Sequence, residues 1–116
     1  MTQEQLIKLL NELMALPDET EWVEFKEAKS TFDFNRLGRY FSALSNEANL
    51  KGQPYGWLIF GIENKTRNIV GTQYRQNRSD LDSLKLEIAS KTTERITFVE
   101  IHELLLSEGR VIMFQI

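Results

Sequence analysis

Tyr55–Gly71 reads YGWLIFGIENKTRNIVG, and how it is interpreted decides the fold. Trp57, Leu58, Ile59, Phe60 and Ile62 make an apolar run broken only by Gly61. A strand with one wet face alternates polar and apolar residues, whereas one covered on both faces need not. The run therefore predicts a central strand. Gly61, near its end, marks a bend or a close backbone approach. The polar residues Glu63 to Asn68 turn the chain and Ile69-Val70-Gly71 returns it, a hairpin with a loop of about four or five residues. The core strand thereby delivers one carboxylate, Glu63, and two cations, Lys65 and Arg67, to one end of the sheet.

Upstream, Trp22-Val23-Glu24-Phe25-Lys26 alternates. Val23 and Phe25 face the core, while Trp22, Glu24 and Lys26 share the opposite face. Such a face is ordinarily just a charged strand surface; its sharper reading is a pair addressing a phosphate or a metal. Asp33 caps a helix whose inward stripe is Phe34, Leu37, Tyr40, Phe41, Leu44 and Ala48, with Arg36 and Arg39 on a different face. At the start of the chain, Thr2 and Gln5 have capping-box spacing, and Leu6, Leu9, Leu10 and Leu13 follow at helical intervals. A helix over about residues 3–15, ended by Leu16-Pro17, is free to pack on its own sheet or on another subunit.

Downstream, Ser79 or Asp80 caps a third helix with Leu81, Leu84 and Ile88 inward. Ile96–Leu104 reads as a strand with Phe98 interior, Ser107-Glu108-Gly109 as a turn, and Val111–Ile116 as a final strand. The order predicts an α+β fold, a central mixed or antiparallel sheet with about three helices against it. With 116 residues, no linker and no repeat, residues 1–116 form a single domain. Because the chain stops inside an apolar strand, it is expected to be an N-terminal fragment of a longer protein.

Composition narrows the chemistry. There is no cysteine, hence no disulfide framework and no thiolate site. The single histidine, His102, excludes a His-rich zinc site and leaves little room for a Ser-His-Asp triad. No run approaches the roughly 18 apolar residues of a membrane span. The MTQEQ start lacks the basic-then-apolar pattern of a signal peptide, so a cytoplasmic protein with no membrane partner is expected. Net charge is −3 but unevenly spread. Residues 1–24 hold six acids against one base, and residues 25–95 twelve bases against eight acids. The basic middle permits a phosphate-contacting face.

Four ordered motifs carry a family resemblance: ETEWVEFK (Glu19–Lys26), FSALSN (Phe41–Asn46), LIFGIE (Leu58–Glu63) and IVG (Ile69–Gly71). Together they resemble the schlafen AlbA-like domain, a divergent AlbA-type DNA-binding domain. Its pattern runs E-x4-E-F-K, then a helix ending in S/C-A-F-A-N, a Gly-Gly turn, L-x-I-G-V-D-D and I-V-G. Two departures stand out. Residues 50–56 replace the Gly-Gly turn, and Glu63 stands where aspartate is usual.

The resemblance implies a DNA-binding module of a bacterial transcriptional regulator, without enzymatic activity or cofactor. Phosphate contacts need cations on a rigid platform, and Lys26, Arg36, Arg39, Lys65 and Arg67 are the candidates, with Arg75 and Arg78 in reserve. Trp22 or Tyr74 is placed to stack on a base. An alternative follows from animal schlafens, some of which use three acids of this fold to cut RNA. Glu19, Glu24 and Glu63 match those positions and would be both the catalytic residues and the ligands of Mg2+ or Mn2+, with Lys26 on the scissile phosphate. A third reading is a protein-interaction or homo-oligomerisation module. It would use the first helix and the open final strand as contact surfaces.

Overall fold

The computed structural model describes residues 1–18, 20–92 and 97–116. The chain runs α1 (Gln3–Met14), β1 (Val23–Lys26), α2 (Phe34–Leu50), β2 (Trp57–Phe60), α3 (Arg78–Ala89), β3 (Glu100–Leu106) and β4 (Gly109–Gln115). The four strands form one mixed sheet in the order β1-β2-β4-β3. β1 and β2 pair parallel, Val23 opposite Trp57 and Lys26 opposite Phe60, and the other pairings are antiparallel. A parallel pair needs a crossover, and α2 supplies it.

The apolar run of β2 has the environment its pattern predicts. Every residue from Trp57 to Phe60 is buried, because helices cover both faces of the sheet. Leu58 and Phe60, with Ile112 and Phe114 of β4, meet Leu37, Phe41 and Leu44 of α2 and Leu81, Leu84 and Ile88 of α3. Trp57 and Ile59, with Val23, Phe25, Val111 and Met113, meet Leu6, Leu10 and Leu13 of α1. The amphipathic α1 thus packs on its own sheet. Its capping box forms as the spacing predicts, Gln5 N donating to Thr2 Oγ1 at 3.2 Å and Thr2 N to Gln5 Oε1 at 2.8 Å.

Gly61 is the bend. Its φ of 96° is in the left-handed region, and a Cβ there would stand 2.6 Å from the Arg110 carbonyl oxygen. This bend changes the expected hairpin. Only Ile62 and Ile69 bridge, around a six-residue loop, and Val70 is exposed. The return cannot extend the ladder because β1 and β4 already occupy both sides of β2.

Other expectations shift. Trp22 lies in a turn before β1, and its indole packs on the α1 layer beside Val23 and Phe25 rather than sharing a face with Glu24 and Lys26. The third helix begins one residue before Ser79, with Asn77 as N-cap, so Ser79 and Asp80 lie in its first turn, where the Asp80 carboxylate favours the helix dipole. Ile96 lies outside the described residues. The strand expected there begins at Glu100, although Phe98 is buried as anticipated. The final strand is not an open contact surface, since β4 is interior to the sheet; the edges are β1 and β3. Among the described residues, no helix is long and apolar enough to cross a membrane.

Candidate nucleic-acid interface

Because Val23 and Phe25 commit one face of β1 to α1, Glu24 and Lys26 project on the α2 side of an edge strand. Lys26 Nζ stands 3.2 Å from Glu24 Oε1 and 5.3 Å from the centre of the Tyr40 ring. Burial opposes its charge, but hydrogen bonding to Tyr40 and Glu24 outweighs that cost and raises its pKa. One helical turn before Tyr40, the Arg36 guanidinium lies 5.1 Å from the Phe32 ring centre and 5.8 Å from that of Tyr40. The two rings are 6.2 Å apart. Arg36, Arg39, Tyr40 and Ala43 line a shallow depression of about 260 Å³. Arg39 also borders a groove of about 590 Å³ between α2 and the end of α3, with Lys91 among its lining.

Three of the five basic candidates therefore meet around one aromatic pair. Among the described residues neither Arg36 nor Arg39 has an ion-pair partner. An uncompensated guanidinium over an aromatic ring is held in orientation without spending its charge. Lys65 is exposed in the turn after Glu63, away from α2 in the chain.

Arg67 is differently placed. Its side chain is only 13% exposed and lies 4.3 Å over the Phe25 ring. Its fork donates to the Met14 carbonyl at 3.1 Å and to the Asn64 carbonyl at 3.1 Å, and it pairs with Asp18 at 3.4 Å. The reserve arginines are engaged as well. Arg75 binds Glu87, and Arg78 pairs with Asp82 at 3.0 Å and Glu100 at 3.6 Å. Tyr74 cannot stack on a base, being 5% exposed and packed edge-on against Phe60. The aromatics of the basic face are Phe32 and Tyr40 instead. Sequence reading assigned Tyr40 to the buried stripe, and neither Phe32 nor Lys91 carried a signal, since their meeting depends on how α2 docks.

Of the acidic candidates, Glu19 lies outside the described residues. Glu24 is engaged by Lys26. Glu63 sits past the bend, three residues beyond Phe60, the partner of Lys26, whereas Glu24 lies opposite Leu58. Among the described residues, no three histidine or carboxylate groups stand close enough to hold a metal.

A parallel β1–α2–β2 crossover completed by an antiparallel pair, with a basic, aromatic-backed helix face, defines a small α+β domain. The chain belongs to the Schlafen, AlbA_2 family, whose model matches residues 19–116. Two solved structures share the fold. One is the DIP2311 protein of Corynebacterium diphtheriae, at 21% identity and a TM-score of 0.57, with 98% of this chain and 22% of that one covered. The other is the N-terminal domain of a Nitrosomonas europaea protein described as related to the ATP-dependent DNA helicase RecG. It matches at 21% identity and a TM-score of 0.55, covering 93% of this chain and 69% of that one. This chain thus spans about a fifth of the Corynebacterium protein. No curated protein matches.

Proposed function

We propose that this chain is a nucleic-acid-binding module, probed most directly with DNA, that seats a phosphate backbone across Arg36, Arg39 and Lys26. The observation that carries the reading is the pair of uncompensated guanidinium groups beside Tyr40 on the outer face of α2. Two cations on a rigid helix, three residues apart, match the demand of a polyanion for fixed positive charge. Tyr40 and Phe32 add ring surface on which an unpaired base can stack. Membership of the family and a similar fold at the N-terminus of a helicase-related protein support a DNA-acting context, and a transcriptional regulator is the role proposed for the whole protein.

The test is salt-dependent binding to a labelled duplex, followed by anisotropy. The double variant Arg36→Gln/Arg39→Gln should weaken binding to all sequences alike. It should also reduce the slope of log K against log salt by about 1.8, the release of two counterions. An unchanged slope, sequence-selective loss, or no binding by the parent chain at low salt would each count against the proposal. RNA of the same sequence as competitor decides which nucleic acid is preferred.

A further inference from the structure

Gly38 stands inside α2, where glycine is the least favourable residue after proline. Two needs ordinarily keep a glycine in a helix, and neither operates here. Its φ is not positive, and a Cβ there would meet no atom within 4 Å apart from its chain neighbours and its own helix backbone. The fold accepts a side chain at this position, so what glycine provides is open space. That space belongs to the groove of about 590 Å³ between α2 and the end of α3, with Asn35, Arg39, Ser42 and Lys91 also in its lining. Asn35, Gly38, Arg39 and Ser42 recur at helical spacing and so share one face of α2. The groove joins the depression beside Tyr40, since Arg39 and Ala43 line both.

We propose that a single strand of nucleic acid runs through this groove, its backbone passing directly over Gly38 and an adjoining base lying on Tyr40. The inference rests on the phosphate-binding reading of the α2 face and names the form of nucleic acid that face takes. Shape and charge select this occupant. Elements that read a duplex project into its grooves, whereas single strands are held in concave basic channels with exposed rings beside them. Here the surface is concave, the Tyr40 ring backed by Phe32 stands at one end, and no acid lines either depression. α2 carries no carboxylate from Phe34 to Asn46, and Asp33 at its N-cap is turned to the Arg36 amide at 2.9 Å. Arg39 and Lys91 have no ion-pair partner among the described residues. Asn35 and Ser42 are exposed beside them and supply donors for phosphate or sugar oxygens.

Anisotropy with a labelled oligothymidylate of about 12 nucleotides, and with the same strand annealed to its complement, tests the path. The single strand should bind about tenfold tighter than the duplex, the scale of one stacked base. Gly38→Ala should raise the melting temperature by about 3–6 °C, as such a replacement inside a helix does, and yet weaken single-strand binding. Gly38→Gln fills the groove with an uncharged side chain of good helix propensity. It should weaken single-strand binding by about tenfold or more, while duplex binding stays within about twofold. A variant that melts no lower than the parent loses binding through the groove and not through the fold. Equal affinity for strand and duplex, or strand binding unchanged in Gly38→Gln, overturns the single-strand path and leaves the phosphate-binding reading of Arg36 and Arg39 standing. So does parallel loss of duplex binding in that variant, or displacement of the strand by polyglutamate as readily as by unlabelled strand. Absence of binding to either form at low salt removes both readings.

Discussion

The guanidinium of Arg67 reaches the Met14 carbonyl at the end of α1, one of the last-turn carbonyls that lack a partner within the helix. It does so from a residue with φ of 61°, a left-handed conformation that a non-glycine side chain adopts at some cost. The planar fork and the Phe25 ring beneath it are matched to that position, and a lysine ammonium has neither property. Arg67→Lys is therefore expected to lower unfolding free energy by about 1–3 kcal/mol, read from urea titration, because charged hydrogen bonds to the part-buried Met14 carbonyl and to Asn64 are lost. The folded variant should keep the salt slope of DNA binding. A reduced slope with unchanged stability would instead make Arg67 a phosphate contact. Sequence spacing grouped Arg67 with Lys65 because it reports position along the turn. It cannot report that α1 ends beneath that turn, which is set by how the first helix lies on the sheet.

Among the elements, those with a strong internal period were legible and those held by long-range bonds were not. α2 declares itself: Asp33 caps it through the Arg36 amide at 2.9 Å, and Leu37, Phe41, Leu44 and Ala48 fall inward. β2 was equally plain, and its deepest residue supplies a direct check. Phe60 has no exposed surface and packs with Phe32, Tyr74 and Phe114 at centroid separations of 4.7, 5.2 and 4.9 Å. Phe60→Ala should cost about 3–5 kcal/mol in urea or thermal unfolding, as buried aromatic truncations do. The start of α3 was ambiguous because Asn77, Ser79 and Asp80 are all capping residue types, and the choice falls to where the preceding segment enters. That segment is tied to α3 by Arg75, whose fork binds the Glu87 carboxylate, with Nη2 at 3.0 Å from Oε1. The hydrogen bond from Arg75 holds the Glu87 pKa below its ordinary value of 4.5. A depressed carboxylate contributes stability that is present above its unfolded pKa and lost as pH falls through the folded one. Thermal stability should thus decline below pH about 4.5, and Glu87→Gln should flatten part of that decline. An unchanged acid profile in Glu87→Gln would mean that the pair does not stabilise the fold.

At the scale of the whole molecule, one sheet separates two helical layers. The α2 layer carries the uncompensated arginines, and the α1 layer carries a largely apolar recess. Helices covering both faces of a sheet stand about 10 Å to either side of it, so the two surfaces are further apart than the Debye length of about 8 Å at physiological salt. Direct electrostatic coupling across the sheet is then screened. β2 nevertheless touches both layers, Trp57 on the α1 side and Phe60 on the arginine side, and a packed strand is a route by which one face could strain the other. If the two faces are independent, Trp57→Leu, on the α1 side of β2, should change duplex affinity by less than about twofold at 0.15 M salt, a small coupling free energy. Anisotropy titration of the folded variant reads this directly. A change above about fivefold would sink the independence of the two faces and place the coupling in the packing around β2.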